Sequence, residues 1–197
     1  IRHLLTHSSG LPDYYQFFLD KKIKDKQDVL DYILNVELEF EPGSRYNYSD
    51  LGIILLTAII EKVSGRTIDK LANSWLYRPL GMSSTFYNPN SALLPNIAPT
   101  EIDSLYRGQL LHGEVHDENT FLMGGVSGHA GVFSTSGDIG RYAQMLVNGG
   151  VWKGKRIFKE KQVREFTTIQ NLPAGSEMAL GWDTPSQSGK SIAGDYF

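Results

Sequence analysis

Tyr48, Ser49 and Asp50 put a phenol, a hydroxyl and a carboxylate side by side at what the pattern marks as a helix start. A phenol held there could give or take a proton at a neighbouring reacting atom. Its reference pKa of ~10 makes it a poor base at neutral pH unless a cation stabilises the anion. The trio also has a plain structural use, because Ser49 or Asp50 can accept hydrogen bonds from the free N–H groups of the first helical turn. A second cluster, His112 to Asn119, gathers two histidines and three carboxylates in eight residues, a composition suited to a metal. Gly113 and the lack of helical amphipathicity argue against a chelating pair of His112 and His116 on one helix face. A loop whose side chains buttress a cleft by hydrogen bonds is the expected role. His129 lies in the glycine-rich run 124–131, where the backbone can approach closely, and is the candidate substrate-binding residue at a cleft edge. His3 and His7, four residues apart with no third ligand nearby, are expected to be packing or hydrogen-bonding histidines.

The elements that must hold these groups are legible from periodicity. Pro42-Gly43 marks a turn, after which Leu51 to Ser64 is apolar at helical spacing. Its apolar face is wide enough to predict a mostly buried helix, with Gly65 as a left-handed stop. Residues 1–6 read as the end of a helix closed by the His7–Pro12 turn, and residues 13–26 as a partly helical excursion. Further helices are expected over Gln27–Val36, with Val29, Leu30, Ile33 and Leu34 on one face, and over Ile68–Tyr77. The latter is capped by Thr67 and ended by Pro79 and Gly81. Another runs from Ser136 through Ile139, Tyr142, Leu146 and Val147 to the Asn148-Gly149-Gly150 stop. Trp152–Ile157 reads as a turn, and Lys159–Thr168 as a short helix. Leu180-Gly181-Trp182 reads as a strand start and Gln187–Gly189 as a hairpin turn. The stretch from Thr100 to Asn119 lacks clean periodicity.

Four stretches carry a family resemblance. Glu41 to Gly65 contains Pro-Gly, then Tyr48-Ser49-Asp50, then a helix ending in Val-Ser-Gly. Upstream lies Arg2-His3-Leu4-Leu5-Thr6-His7-Ser8-Ser9-Gly10-Leu11-Pro12, and downstream lie Pro79-Leu80-Gly81-Met82-Ser83-Ser84-Thr85 and Gly131-Val132-Phe133-Ser134-Thr135-Ser136-Gly137-Asp138. In this order they resemble the penicillin-recognising serine hydrolases, in particular the class C β-lactamase and D,D-peptidase branch, whose second motif is Tyr-x-Asn. The resemblance implies an α+β, β-lactamase/transpeptidase-like fold, of which this chain supplies mostly the helical region and a small part of the antiparallel sheet. It implies acyl transfer through a serine, with Tyr48 as the general acid/base and Asp50 in the place of the motif's asparagine. A carboxylate at that place can accept a hydrogen bond from the family's lysine but cannot donate to a substrate carbonyl as an amide does. No serine here is followed three residues later by lysine; Thr67-Ile68-Asp69-Lys70 is the nearest look-alike and lies on the wrong side of Tyr48. His129-Ala130-Gly131 matches a final His-x-Gly motif only formally, since it comes too early. Residues 1–197 therefore read as an internal portion of one domain, inactive alone. Substrates implied for the parent are D-alanyl peptides of peptidoglycan, β-lactams or small esters, with no cofactor. The setting implied is periplasmic, and fusion to a glycoside hydrolase domain occurs in the subgroup. The rivals are a catalytically dead relative that binds peptidoglycan or a protein, and a metal-dependent hydrolase built on His112 and His116.

Composition sets the outer bounds. With 197 residues, 41% hydrophobic and 21% charged, the chain has ample material for a core. A net charge of −3 without a basic run argues against nucleic acid as the main partner. Cysteine is absent, which excludes a disulfide framework and thiol chemistry.

Overall fold

The computed structural model describes residues 1–185; the Gln187–Gly189 turn expected above lies outside them. Helices dominate, and strand is confined to short antiparallel pairs. The first core is built by α1 (Arg2–Leu5), α2 (Lys26–Asn35) and α3 (Asp50–Ser64). Leu4, Leu11, Phe17, Val29, Ile33, Leu51, Ile54 and Met123 bury their side chains together there. Asp25 caps α2 through the amides of Gln27 and Asp28, and Val29 and Ile33 are its buried face, as the spacing predicts. Leu34 stays exposed.

The helix α3 behaves differently from its uniform apolar pattern. Only its first half is enclosed: Leu51, Gly52, Ile54 and Thr57 are buried, while Val63 is 84% exposed. Ile53 and Ile60 line an open pocket, as does Leu56, which also packs against the edge of the core. Gly65 ends the helix at φ +67° and donates its N–H to Glu61.

Glu61 also corrects the expected cap of the next helix, α4 (Ile68–Ala72). Thr67 occupies the cap position without a side-chain bond. The Glu61 carboxylate accepts from Ile68 N–H at 3.0 Å and pairs with Lys26 Nζ at 2.6 Å, so one acceptor ties α2, α3 and α4 together. From α4 the chain passes through a π turn at Asn73–Tyr77 into α5 (Arg78–Leu80) and stops at Gly81, φ +69°. Pro79 does not end the helix. The π turn before it already shifts the backbone ladder, so the missing proline N–H breaks no regular bond.

A second core joins Tyr77, Leu80 and Met82 to Met145 of α7 (Ser136–Val147), which follows the short helix α6 (Glu118–Leu122). Its polar anchor is Asp138, buried, which accepts from Ser84 N–H at 2.8 Å and from Thr85 Oγ1 at 2.9 Å and pairs with Arg141. Two of the sequence motifs noted above thus meet at one carboxylate. The strand β1 (Phe86–Tyr87) pairs antiparallel with β4 (Val132–Phe133) beside this anchor, and β2 (Ile102–Asp103) pairs with β3 (Gln109–Leu110). The segment read as a turn after α7 is a tight hairpin, β5 (Val151–Trp152) with β6 (Lys155–Arg156), before α8 (Glu160–Thr167). Leu180–Trp182 forms no strand: Leu180 and Gly181 donate their N–H groups to Phe166 and Leu5, which are not parts of a sheet.

Candidate active site

Ser49 fixes the start of α3 by a two-sided bond. Its Oγ accepts from Gly52 N–H at 3.1 Å and donates to the Pro12 carbonyl at 2.6 Å. The residue is buried, so the cap joins the helix start to the His7–Pro12 turn. Asp50 N–H donates to the Asp13 carbonyl at 2.9 Å, a second tie to the same stretch. Tyr48 projects from this anchored corner, 56% exposed, into a pocket of about 640 Å³. The pocket floor is apolar, formed by the Ile53, Leu56 and Ile60 stripe of α3 with Leu5, Ile68 and Ala72. Its rim holds His7, Tyr46, Tyr48, His129 and Asp183.

Electrostatics at the rim follow from burial and negative neighbours. Burial pushes the Asp50 carboxyl above the usual carboxylate range; Asp117 and Asp13 add to this, and His129 and the Tyr48 hydroxyl oppose it. The Tyr48 phenol is raised by burial and by the Asp50 charge. Burial, with Glu118, Asp117 and Asp50 adding to it, pushes Tyr14 up to about 12. No lysine or arginine of the described residues contributes to Tyr48 or Asp50. With these neighbours alone Tyr48 is a proton donor, since no cation stabilises its anion.

His129 is where the glycine-rich loop meets this corner, but its nitrogens are taken. Its side chain is only 3% exposed. Nε2 lies 3.1 Å from both Asp117 Oδ1 and Thr120 Oγ1, and Nδ1 is 2.8 Å from Ser127 Oγ. The residue therefore offers its ring to the pocket wall and its hydrogen bonds to the interior. Asp117, held by His129 and by the Thr120 side chain and N–H, lies well below its ordinary value, at about 2, despite burial that acts the other way. Gly128 explains how the loop gets so close to α3. Its N–H donates to Thr57 Oγ1 at 3.0 Å, and a Cβ there would overlap that oxygen.

The 112–119 cluster splits apart in space. His112 Nε2 contacts the carbonyls of Leu94 and Ile97 at 3.0 and 2.8 Å, whereas His116 Nε2 meets Glu101 at 2.6 Å. Among the described residues no three His, Asp or Glu side chains converge as metal ligands. Asn119 and Asp117 do buttress the site, Asn119 by donating to the Tyr15 carbonyl at 2.8 Å. The segment that carries them is anchored by Asp103, which accepts three backbone N–H groups and the Arg107 guanidinium at 2.6 Å. Arg107 then donates to the carbonyls of Val115 and His116. No sequence motif pointed to this pair; the i, i+4 spacing of Asp103 and Arg107 was its one signal.

With that geometry, comparison with known proteins is direct. A family model described as Beta-lactamase matches residues 1–196. The chain belongs to that family. Among curated relatives of this β-lactamase-family chain is the Escherichia coli K12 protein named "Putative D-alanyl-D-alanine carboxypeptidase". It is 37% identical over 92% of this chain and 46% of its own length. A Salmonella agona protein of the same name is 34% identical over 91% of this chain and 45% of its own length. The chain thus spans about half the length of the curated relatives it matches. Among solved structures, a β-lactamase/D-alanine carboxypeptidase from Pseudomonas syringae superposes with TM-score 0.66 at 19% identity, over 97% of this chain and 51% of that one. A penicillin-binding protein from Bacillus halodurans gives TM-score 0.64 at 22% identity, over 91% and 54%. These likenesses establish the β-lactamase/transpeptidase-like fold, here as helices with small antiparallel strand pairs.

Proposed function

We propose that this chain is the helical portion of an acyl-transfer serine hydrolase acting on D-alanyl peptides, β-lactams or small esters. The observation that carries this reading is Tyr48, set at the capped start of α3 and projecting into an open pocket whose far wall ends at His129. In this reading the nucleophilic serine and its lysine come from the remaining half of a longer protein. The lysine ammonium would reverse the electrostatics of the corner. It gives Asp50 a charged donor and lets Tyr48 accept the serine's proton and later return it to the leaving group. Gly128 holds the loop against α3 through Thr57, and Asp117 fixes the His129 ring that faces the pocket. The names of the relatives favour the D-alanyl class, and a working site outside the cytoplasm goes with that substrate. Among the described residues no helix is long and apolar enough to cross a membrane.

The test is intact mass of the longer protein before and after incubation with a penicillin, together with cleavage of a D-alanyl-D-alanine peptide. One penicillin added per protein, with Tyr48→Phe slowing acylation by about 10²–10⁴-fold, is the expected result. The 22.0 kDa chain by itself is expected to take up none. A longer protein with neither an adduct nor peptide cleavage overturns the reading, and an unchanged rate in Tyr48→Phe removes the role of that residue.

A further inference from the structure

Two observations at His7 bear on Tyr48. The imidazole is buried, and its ring lies against the Tyr48 ring with centroids 4.4 Å apart and planes 30° from parallel. Its Nδ1 accepts the buried Ser49 N–H at 3.1 Å, and its backbone carbonyl accepts from Asn47 N–H at 2.8 Å. One residue therefore grips the chain immediately before and immediately after Tyr48, and carries its ring as well.

The backbone at His7 is a third and independent sign. His7 follows the Thr6 cap at the end of α1, with Ser8 N–H returning to the His3 carbonyl at 2.8 Å. That is the place where a helix ordinarily takes glycine, because the chain turns left-handed there. Here φ is +50° at a residue with a full side chain. Histidine tolerates this region better than most residues, yet glycine would fit with less strain. The side chain is retained at a position where the backbone disfavours one.

We propose that His7 is a positioning residue for Tyr48, a neutral imidazole that fixes the phenol's direction into the pocket through its ring face and its Nδ1 acceptor. Acceptance from Ser49 N–H requires that Nδ1 carry no proton, which assigns the proton to Nε2. Burial also pushes the imidazole's pKa down, in keeping with the neutral form. Tyr48 is more than half exposed, so without this platform its ring has few contacts to hold one rotamer. The catalytic consequence rests on the function proposed above; the positional claim does not.

Two substitutions separate the two grips. His7→Asn keeps an acceptor one bond beyond Cγ and a side chain suited to φ +50°, but removes the ring. His7→Phe keeps a ring and removes the acceptor. Both are made in the longer protein with ¹³C-labelled tyrosine, the Tyr48 resonance being the one absent from Tyr48→Phe. The Tyr48 ring signal is expected to lose its ring-current shift and sharpen in His7→Asn, and to stay displaced in His7→Phe. Penicillin acylation should fall by about 10²-fold in His7→Asn, as expected for a misplaced catalytic group. His7→Phe, although less stable, should retain more of it. A Tyr48 signal unmoved in His7→Asn overturns the proposal, and so do acylation rates that simply track thermal stability in the two variants. If the unmodified protein takes no penicillin, the functional reading has failed, and the Tyr48 signal alone then decides the role of His7.

Discussion

Ser49→Ala tests the corner on which the site depends. The hydroxyl does two things at once in a buried place, accepting from Gly52 N–H and donating to the Pro12 carbonyl. Loss of the cap costs about 1 kcal/mol, and leaving a buried carbonyl without its donor costs about 1–3 kcal/mol more. The sum is about 2–4 kcal/mol, a large share of the margin of a domain this size. Urea unfolding followed by fluorescence of Trp75, Trp152 and Trp182 measures it, with an unchanged m-value as the sign that only stability moved. The neighbouring Asp50→Asn serves as a control of opposite sign. The folded carboxyl titrates above its unfolded value, so its ionised form subtracts stability at neutral pH. Removing the charge should raise stability at pH ~7, and the gain should vanish as pH falls and the Asp50 of the unmodified protein takes up its proton. A Ser49→Ala loss under about 0.5 kcal/mol would refute the two-sided cap. A destabilising Asp50→Asn would refute the account of the acidic rim.

Other consequences can be checked with the same unfolding assay. Gly128→Ala should destabilise by about 1–3 kcal/mol, because its Cβ would overlap Thr57 Oγ1 and lie 3.3 Å from Ile53 Cγ2; combining it with Thr57→Ala should recover part of the loss. Arg107→Met should destabilise, since it takes the guanidinium from Asp103 and from the carbonyls of Val115 and His116, while the three backbone N–H groups on Asp103 remain. Asp117, at about 2 in the folded protein, contributes stability that is fully present above its unfolded value and is lost as pH falls toward 2. The gap between unmodified protein and Asp117→Asn should therefore narrow between about pH 5 and pH 2, and a constant gap would contradict the His129 pairing.

Local rules read much of this molecule directly. Helices α2, α3 and α7 announced themselves by spacing, α8 was expected as a short helix, and the order of residues pointed to a cap at Ser49 or Asp50, which Ser49 provides, and to the Gly65 stop. The departures arise where the surroundings of a residue override its local preference. Thr67 had the right chemistry for a cap, yet a carboxylate on a neighbouring helix reached the amide first. The second apolar stripe of α3 looked like core because periodicity counts apolar residues and cannot say what lies opposite them. At the corner that opens on the pocket, Tyr48 and Asp50 stood out in the sequence because motif and cap coincide in three residues; their catalytic roles belong to the proposal made above. The His7 platform, 42 residues from Ser49, was not, and neither was the tethering of His129 by Asp117 across twelve residues. Histidine in a sequence shows its chemistry but not its tautomer or its neighbour.

The carboxylate of Glu61 gives the helical half an internal indicator. Ile68 N–H is satisfied by a side chain that is itself steered by Lys26. Deuterium uptake at that single amide therefore reports whether α2 is seated, although Ile68 belongs to neither α2 nor α3. In a ligand or mutant series, fast exchange at Ile68 with slow exchange inside α3 would mark a molecule in which α2 has lifted away while the wall beneath Tyr48 still stands.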